Sequence, residues 1–594
     1  MTLELSDWLV ISFYFVVSAA IGLAYTRKAS RSLEDYFLSG RSLPWWLAGT
    51  SMVATTFAAD TPLAVAGLVA KYGVAGNWLW WNGAFSGVLT VFFFSRLWRR
   101  AGVLTDVEFA ELRYGGRPAA VLRGFRALYL AIPINLIIMG WVTRAMVTVL
   151  QVTLGVHPWK AAILLFGVTA LYSVFSGLWG VVITDVMQFV VAMGGTILLA
   201  VFAVDSVGGL AALRDQAAAH FGSAEAAFRV LPPLDQAWLP LSTLLVFLAV
   251  QWWAAWYPGQ EPGGGGYVVQ RILSAKDERH GLLATLWFTI AHYALRPWPW
   301  IIVGFVGLIR YPGLANPEEG YVRVMVDVLP SPFKGLLLAA FAAAYMSTIS
   351  THLNWGASYL VNDGYLRFIR PHASQRAQVV ASRVATVILM VCALVVMSYL
   401  KTVEQGWKVL IGLGAGTGLV FILRWYWWRV NAWSEISAMI TSFVTSLVLA
   451  RYGYDLLDSS RPAYAQTMLI TVAVTSVVWL AVTLATGPES DATLERFYRK
   501  VRPGGAGWRR VSRRLGYGDD PIPGGALSWV NWVAGLATVY CAVVSLGDFL
   551  VGSRVRAVAY GTASVVAFLL IQRNLRVDPS LRAGVDTSPR PELS

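Results

Sequence analysis

Long apolar segments alternate with short polar ones along almost the whole chain. Most are about 20 residues long, the length of an α-helix that crosses a hydrocarbon core of about 30 Å. Segments of this length and polarity predict transmembrane helices, and about fifteen are present. They lie near residues 8–26, 44–70, 76–98, 119–151, 159–178, 180–206, 238–257, 282–309, 334–361, 378–400, 407–428, 432–451, 467–486, 527–551 and 555–572. The fold class expected from this pattern is an all-α polytopic membrane protein.

Two of these segments are interrupted in the middle. The first is broken at Thr61-Pro62 and the second from Pro258-Gly259 to Gly266, and each opens a run of five apolar spans. Proline removes a backbone donor and disfavours helical geometry in the residue before it, so main-chain groups are freed at membrane depth. Lipid cannot satisfy such groups, and matched breaks in two halves of a chain are typical of a transporter's central binding site.

The order of the spans predicts an inverted repeat of five plus five helices, with broken first and sixth core helices. An odd number of spans separates the first members of the two runs, so the runs cross the bilayer in opposite senses. The expected units are a leading transmembrane helix with a cytoplasmic loop (1–43), a first five-helix repeat (44–206), an external loop (207–237), a second, inverted repeat (238–428) and four accessory transmembrane helices with a basic cytoplasmic loop and a short tail (429–594).

Composition and charge support a membrane location. Of the 594 residues, 57% are hydrophobic and only 13% are charged. The net charge of +14 could indicate a nucleic-acid partner, but Lys and Arg crowd alternate loops, as the positive-inside rule requires of a membrane protein. We therefore expect a multi-pass protein of the plasma (inner) membrane, in contact with lipid and not with nucleic acid. The N-terminus is predicted to be external and the C-terminus cytoplasmic, and the oligomeric state stays open.

Polar side chains cluster at the first break and in the ninth span. Thr56, Asp60 and Thr61 place two hydroxyls and a carboxyl near mid-membrane, where a charged group costs about 2.5–3.5 kcal/mol and needs a partner. Asp60 could bind a solute, or it could pair with Arg144 or Arg296 inside the bundle. The ninth span carries four hydroxyl side chains at helical spacing, namely Ser347, Thr348, Ser350 and Thr351. Such hydroxyls are common in helix packing, but together with freed carbonyls they could also ligate a hard cation such as sodium.

Three motifs carry a resemblance to a known family. They are the loop Asp35-Tyr36-Phe37-Leu38-Ser39-Gly40-Arg41-Ser42-Leu43, the end of the first core helix at Gly67 and Tyr72-Gly73, and the exit of the sixth at Gln270-Arg271 and Ala275-Lys276. Together they resemble the sodium/solute symporter family over about 30–430. The resemblance implies the leucine-transporter-type fold and sodium as the coupling ion.

The resemblance also implies where sodium binds. The first ion is expected between the first and eighth core helices, at the carbonyls of Ala54, Phe57 and Ala344 and the hydroxyls of Ser347 and Thr348. Some members hold a second ion, and Asp185, Ser350 and Thr351 stand at the matching positions. For Asp185, a hydrogen bond to local backbone near a helix end is the structural alternative.

The solute is expected beside the first break, against Thr56, Asp60 and Thr61. In related sugar carriers the position of Thr61 is an amide, so this chain keeps the acid but departs at its neighbour. Gln251 and Trp253 belong to an aromatic segment whose ring faces could stack on a sugar or a cation, or could pack in the core or at the membrane interface. Arg144 could receive a substrate carboxylate, or could be the partner of Asp60.

The favoured hypothesis is a sodium-coupled secondary active symporter. It would import a small polar organic solute, of the sugar, sugar acid or amino acid class, by alternating access with one or two sodium ions. The alternative is a non-transporting solute sensor or scaffold of the same fold. An enzyme is not expected, since the six histidines form no H-E-x-x-H pair and no G-x-S-x-G elbow is present. Proton coupling would be favoured by a basic group in place of the Ser347 and Thr348 hydroxyls, which are present.

Overall fold

The computed structural model describes residues 3–29, 38–103, 106–173, 178–231, 240–255, 262–452, 462–578 and 581. Within these residues the regular structure is helical, and the one β-type contact is an isolated bridge between Leu43 and Ala275. The predicted all-α fold class is confirmed. Asp35-Tyr36-Phe37 of the first motif and Pro258, Gly259 and Glu261 of the second break lie outside the described residues.

The helices follow one another with short connections. Those up to residue 231 are α1 (Leu5–Ala29), α2 (Trp45–Thr55), α3 (Asp60–Tyr72), α4 (Trp78–Trp81), α5 (Gly83–Leu89), α6 (Ser95–Ala101), α7 (Phe109–Arg113), α8 (Gly116–Tyr129), α9 (Asn135–Leu154), α10 (Pro158–Ser173), α11 (Leu178–Asp205), α12 (Gly209–Phe221) and α13 (Ala224–Phe228). Those that follow are α14 (Leu241–Val246), α15 (Trp252–Ala254), α16 (Gly266–Ser274), α17 (Glu278–Ile290), α18 (Pro297–Arg310), α19 (Glu319–Val328), α20 (Phe333–Ser358), α21 (Gln375–Tyr399), α22 (Val403–Gly414), α23 (Gly418–Tyr426), α24 (Ala432–Arg451), α25 (Pro462–Ala485), α26 (Asp491–Val501), α27 (Arg509–Arg514), α28 (Gly525–Val551) and α29 (Arg554–Val577).

Every predicted span falls on one or more of these helices. Within the described part of the chain, eight helices are long and apolar enough to cross a membrane, or up to ten if each of two bent pairs is one span. The other predicted spans also lie on helices, several of which are shorter or interrupted. The count of about fifteen, the sidedness of the termini and the division into repeats therefore stay predictions.

The first break lies a few residues before the predicted position. Helix α2 ends at Thr55, α3 begins at Asp60, and the two are bent by 61°. The prediction that the chain breaks at Thr61-Pro62 is wrong in detail, because Pro62 lies in the first turn of α3. There a backbone N–H has no helical acceptor, so its loss costs nothing.

The second break separates α15, which ends at Ala254, from α16, which begins at Gly266. Gly263 and Gly264 have φ angles of +92° and +79°, a region that favours glycine. The indole of Trp98 donates a hydrogen bond to the carbonyl of Gly263 at 2.6 Å. A side chain of the protein therefore satisfies a main-chain group that the break leaves free.

A third break was not predicted. The span expected as one helix over 407–428 is instead α22 and α23, bent by 50° around Gly416, whose φ angle is +90°. The Gly416 N–H donates to the carbonyl of Ala254 at 2.8 Å, at the end of α15. The third break thus supplies a hydrogen-bond donor to the second, and a main-chain hydrogen bond joins the two broken helices.

Several helices also contain a wider, π-helical turn. These stretches are Thr90–Phe94, Leu130–Ile134, Phe247–Gln251, Ala291–Leu295 and Tyr359–Ile369. Pro133 lies inside the second of them, where the wider turn accommodates a residue without an N–H. Each stretch therefore shifts the regular residue spacing at which side chains before and after it lie on the same face of the helix.

A buried ionic cluster holds the start of α22. The two carboxylate oxygens of Glu318 accept hydrogen bonds from the N–H groups of Val403 and Glu404, at 3.0 and 3.1 Å. Glu404 pairs with Lys71 of α3 at 2.5 Å and with Lys408 at 2.6 Å. The cluster ties the second half of the first broken helix to the first half of the third.

We predict that Gly418→Ala destabilises the fold. A Cβ at this position would lie 2.0 Å from the main-chain oxygen of Trp253, and overpacking of this kind costs about 1–3 kcal/mol. Thermal unfolding of the purified protein should show a lower midpoint. Gly487→Ala is the control, because no atom of the described residues lies within 4 Å of its added Cβ. Equal midpoints for the two variants would contradict the close contact.

We predict that Glu318 makes stability depend on pH. Burial is the main cause that raises the pKa of Glu318 from its ordinary value of 4.5 to about 7. Between these two pH values the folded chain therefore binds more protons than the unfolded chain. The stability that Glu318 contributes is complete below pH 4.5 and is lost as the pH rises through about 7. The unfolding midpoint should fall across this window by more in the wild type than in Glu318→Gln. Glu225→Gln, at an exposed position, serves as the control. If the unfolding midpoint changes with pH in the same way in all three proteins, Glu318 does not cause the pH dependence.

Candidate functional site

A cavity of about 80 Å³ opens beside the first break. Both halves of the first broken helix contribute to it, together with α9, α16, α17, α20 and α22. Its lining consists of Thr55, Thr56, Ala58, Asp60, Thr61, Leu79, Trp80, Ile138, Trp141, Val142, Tyr267, Phe288, His292, Arg296, Thr348, His352, Trp407 and Ile411. The three predicted solute contacts at the break, Thr56, Asp60 and Thr61, all belong to this lining.

Asp60 and Arg296 are the oppositely charged groups of the lining. Asp60 is only 4% exposed and begins α3, where the free N–H groups of a helix start favour negative charge. Arg296 is the cation that acts on its carboxyl, and the indoles of Trp141 and Trp407 face the same carboxyl. Of the two arginines considered as partners of Asp60, the structure thus places Arg296 at the site.

Arg296 also caps the end of α2. Its guanidinium donates to the Thr56 hydroxyl at 2.8 Å and to the carbonyl of Val53 at 3.3 Å, and lies 5.2 Å from the ring centre of Trp300. A cation is favourable at a helix C-terminus, where carbonyls are unpaired. One side chain therefore stabilises the break and contributes charge to the cavity.

Thr61 closes the unwound segment from its other side. Its hydroxyl donates to the main-chain oxygen of Thr56 at 3.1 Å. The Thr56 hydroxyl in turn donates to the Val53 carbonyl at 2.7 Å and lies 3.1 Å from Nδ1 of His292. Both hydroxyls are thus engaged with the main chain of the break. Thr61 keeps its lone pairs for a ligand, whereas those of Thr56 face Arg296 and His292.

Two histidines of the lining, His292 and His352, were not among the predicted site residues. Nε2 of His292 is buried and has no hydrogen-bond partner within the described residues. His352 places Nδ1 2.6 Å from the amide oxygen of Asn135. The available signal was helical spacing, because His292 precedes Arg296 by four residues and His352 follows Thr348 by four, which puts each pair on one face.

Of the residues predicted for the first sodium, Thr348 is the one that lines the cavity. Thr348 lines it together with Thr55, Thr56 and Ala58, so α20 faces the end of α2. The Thr348 hydroxyl donates to the Ala344 carbonyl at 2.9 Å, which leaves its lone pairs free as acceptors. Ala54, Phe57 and Ala344 are buried, and Ser347 is half-buried one position before Thr348. The ligand set stays a prediction.

Asp185, predicted for a second sodium, is engaged in a buried network. It accepts a hydrogen bond from Ser51 of α2 at 2.6 Å and lies 3.7 Å from the guanidinium of Arg271. Arg271 also reaches Ser51 and Thr55, each at 3.3 Å. The partners of Asp185 are thus on other helices and are not the local backbone. The hydroxyls of Ser350 and Thr351 both donate to the Ser347 carbonyl, at 3.1 and 2.9 Å.

Three residues predicted for the solute do not line the cavity. Both ends of the Gln251 amide are used, because it donates to the Leu79 carbonyl at 3.1 Å and accepts from Tyr464 at 2.6 Å. The Trp253 indole donates to Ala249 and faces a different groove. Arg144 is half-buried on α9 and is absent from the cavity lining.

The family motifs that flank the site contact each other. The N–H of Leu43 donates to the Ser274 carbonyl at 3.0 Å, and the N–H of Lys276 donates to the Leu43 carbonyl at 3.1 Å. Arg41 donates to the Gly102 carbonyl at 3.0 Å. The loop before α2 is therefore fastened to the exit of α16 and to the end of α6.

Comparisons with known proteins agree with these features. The sodium:solute symporter family model matches residues 36–442. Curated relatives include sodium/glucose cotransporter 4 of Danio rerio, 27% identical over 83% of this chain and 81% of the relative, and the sodium/glucose cotransporter of Vibrio parahaemolyticus, 26% identical over 82% and 92%. Sodium/myo-inositol cotransporter 2 of Sus scrofa is 25% identical over 83% and 79%.

Among solved structures, the fold is similar to that of a Na⁺-coupled sialic acid symporter in a substrate-bound outward-open state. The TM-score is 0.65, at 20% sequence identity over 82% of this chain and 99% of that chain. The resemblance seen in the three sequence motifs is confirmed. This chain belongs to the sodium:solute symporter family.

Proposed function

We propose that the chain is a sodium-coupled symporter that imports a neutral polyhydroxylated solute, a sugar or a polyol, by alternating access. The observation that carries this proposal is the cavity at the first break with the buried Asp60 in its wall. Membership of the family and the names of the relatives, which are cotransporters of sodium with glucose or myo-inositol, support it.

The cavity suits a solute with many hydroxyls. A carboxylate accepts hydrogen bonds from two neighbouring hydroxyls, as Asp60 can, while a guanidinium such as that of Arg296 donates to ring or hydroxyl oxygens. Nε2 of His292 adds a further polar atom that has no protein partner in the described structure. Trp80, Trp141 and Trp407 supply flat apolar faces for the C–H side of a ring.

Sodium would bind where the end of α2 faces Thr348, through the carbonyls of Ala54, Phe57 and Ala344 and the hydroxyls of Ser347 and Thr348. An ion there holds α2 and α20 together and fixes the break against which the solute binds, so the two binding events become coupled. A second ion at Asp185, Ser350 and Thr351 would have to compete with Arg271 for the carboxylate. Each ion adds about 2.3 kcal/mol of driving force per 100 mV.

A solute sensor or scaffold of the same fold is the alternative. It would bind solute in this cavity without net flux. Uptake into proteoliposomes separates the two, because only a symporter accumulates solute when a sodium gradient is imposed.

We predict that Asp60→Asn impairs solute binding. Loss of charge-assisted hydrogen bonds to two hydroxyls costs about 1.5–3 kcal/mol, or roughly 10- to 150-fold in affinity. Sodium-driven uptake of labelled glucose and myo-inositol into proteoliposomes provides the measurement. Asp215→Asn, on the exposed surface of α12, is the matched control. If Asp60→Asn takes up both solutes with the same dependence on solute concentration as the wild type, the carboxylate has no role in solute binding.

We predict that Thr348→Ala raises the sodium concentration needed for half-maximal uptake, because one oxygen ligand is lost. Solute affinity at saturating sodium should change less, and Thr348→Ser should restore the sodium response. Thr351→Ala, one turn along α20, tests whether the effect belongs to the first ion alone. A sodium activation curve of Thr348→Ala that overlays the wild-type curve would place the ion elsewhere.

A further inference from the structure

A second depression, of about 420 Å³, lies away from the substrate cavity, and none of the described residues lines both. Its walls come from the π-helical turn after α5, from α15, α23 and α28, and its floor is the turn Gly504–Gly507. We call it the aromatic groove, after Phe93, Trp252, Trp253, Trp529 and Trp532 in its walls.

Four polar side-chain groups of the aromatic groove are already paired within the protein. The Tyr426 hydroxyl donates to the Phe93 carbonyl at 2.6 Å, and the indole of Trp253 donates to Ala249 at 2.7 Å. The indoles of Trp252 and Trp532 donate to main-chain carbonyls at 3.1 Å each. The walls thus present carbon to any occupant, and a hydrocarbon chain gains from burial there whereas water finds few partners.

The aromatic groove opens on the side of a membrane-crossing helix. Trp529 of α28 is 55% exposed, and Val530 and Val533 beside it are exposed as well. Helix α28 is long and apolar enough to cross the bilayer, so its exposed face meets lipid. An acyl chain is therefore the hydrocarbon that reaches this opening.

One end of the aromatic groove is positively charged. The floor at Gly504–Gly507 leads directly into α27, with Arg509, Arg510, Arg513 and Arg514, on the face predicted to be cytoplasmic. Arg513 and Arg514 pair with Asp519 and Asp491, at 2.9 and 2.5 Å. Arg510 instead lies 4.7 Å from the ring centre of Trp428, whose N–H donates to the carbonyl of Gly507. An exposed guanidinium is thus held next to the floor of the aromatic groove.

We propose that the aromatic groove binds an anionic phospholipid of the cytoplasmic leaflet, with an acyl chain among the tryptophans and the phosphate at Arg510. Basic sites at the cytoplasmic ends of membrane helices recognise such headgroups by charge. The bound lipid fills the space between α28 and the broken helices that contain Trp253 and Leu419. It therefore stabilises the contact between the accessory helices and the core.

The first test compares two lipids with the same chains. Dioleoyl phosphatidylglycerol, titrated into the purified full-length protein in detergent, should raise the thermal midpoint more than dioleoyl phosphatidylcholine does. Arg510→Gln should remove this difference. Arg554→Gln, which removes one charge at the predicted opposite face, should retain it. Equal shifts with both lipids, or an unchanged difference in Arg510→Gln, overturn the proposal.

The second test reports on the chain site and needs no stability measurement. Phosphatidylglycerol with brominated acyl chains should quench tryptophan fluorescence on contact, and Trp529→Phe should lose part of this quenching at the lowest lipid ratios. Trp159 lies on α10 and is 46% exposed. In Trp159→Phe, the loss of quenching should therefore appear only when lipid is in excess. If quenching depends on the lipid ratio in the same way in both variants, the aromatic groove is not a specific lipid-binding site. A dimer without bound phospholipid in native mass spectrometry also contradicts it, since a second copy would then cover the groove.

Discussion

The structure depends on one constraint, which is that main-chain groups freed inside the membrane need partners from the protein. Each described break meets it in its own way. At the first break, Arg296 and Thr61 donate hydrogen bonds to main-chain carbonyls. At the second, Trp98 donates to the carbonyl of Gly263, and at the third, the N–H of Gly416 donates to the carbonyl of Ala254. Since an unsatisfied group at this depth costs several kcal/mol, these contacts decide where the chain can unwind, and the cavity lies where it does.

The first broken helix is held by buried charges on both sides. Toward the cavity, Arg296 acts on Asp60 and caps α2; toward α11 and α16, Arg271 and Asp185 bind the same helix through Ser51. Buried charges are costly unless they are paired, so a solute or an ion that engages one partner must leave the other satisfied. In the proposed symporter, binding at either place would be coupled to the position of α2, as coupled transport requires.

Much of this arrangement could be predicted from apolar runs and motifs, and the parts that could not share a physical cause. The helices follow from hydrophobic length. The family follows from motifs such as Gln270-Arg271 with Ala275-Lys276, the last of which donates a main-chain hydrogen bond to Leu43. The break before Pro62 was misplaced because proline is tolerated in a first helical turn. Gln251 and Trp253 were assigned to the solute because the sequence does not reveal their tertiary partners. The bend at Gly416 depends on a carbonyl of another helix, which no local pattern encodes.

The wider turns in the core helices have a consequence for how this chain compares with its relatives. A turn such as Phe247–Gln251 accommodates one residue more than a regular helix of the same rise. Removal of a single residue there would restore regular winding and leave the side chains beyond it facing as before, whereas the same removal from a regular helix would rotate them by about 100°. Single-residue gaps in alignments of these helices should therefore be expected, and residues of different family members should be matched by the direction of their side chains in space rather than by counting along the helix.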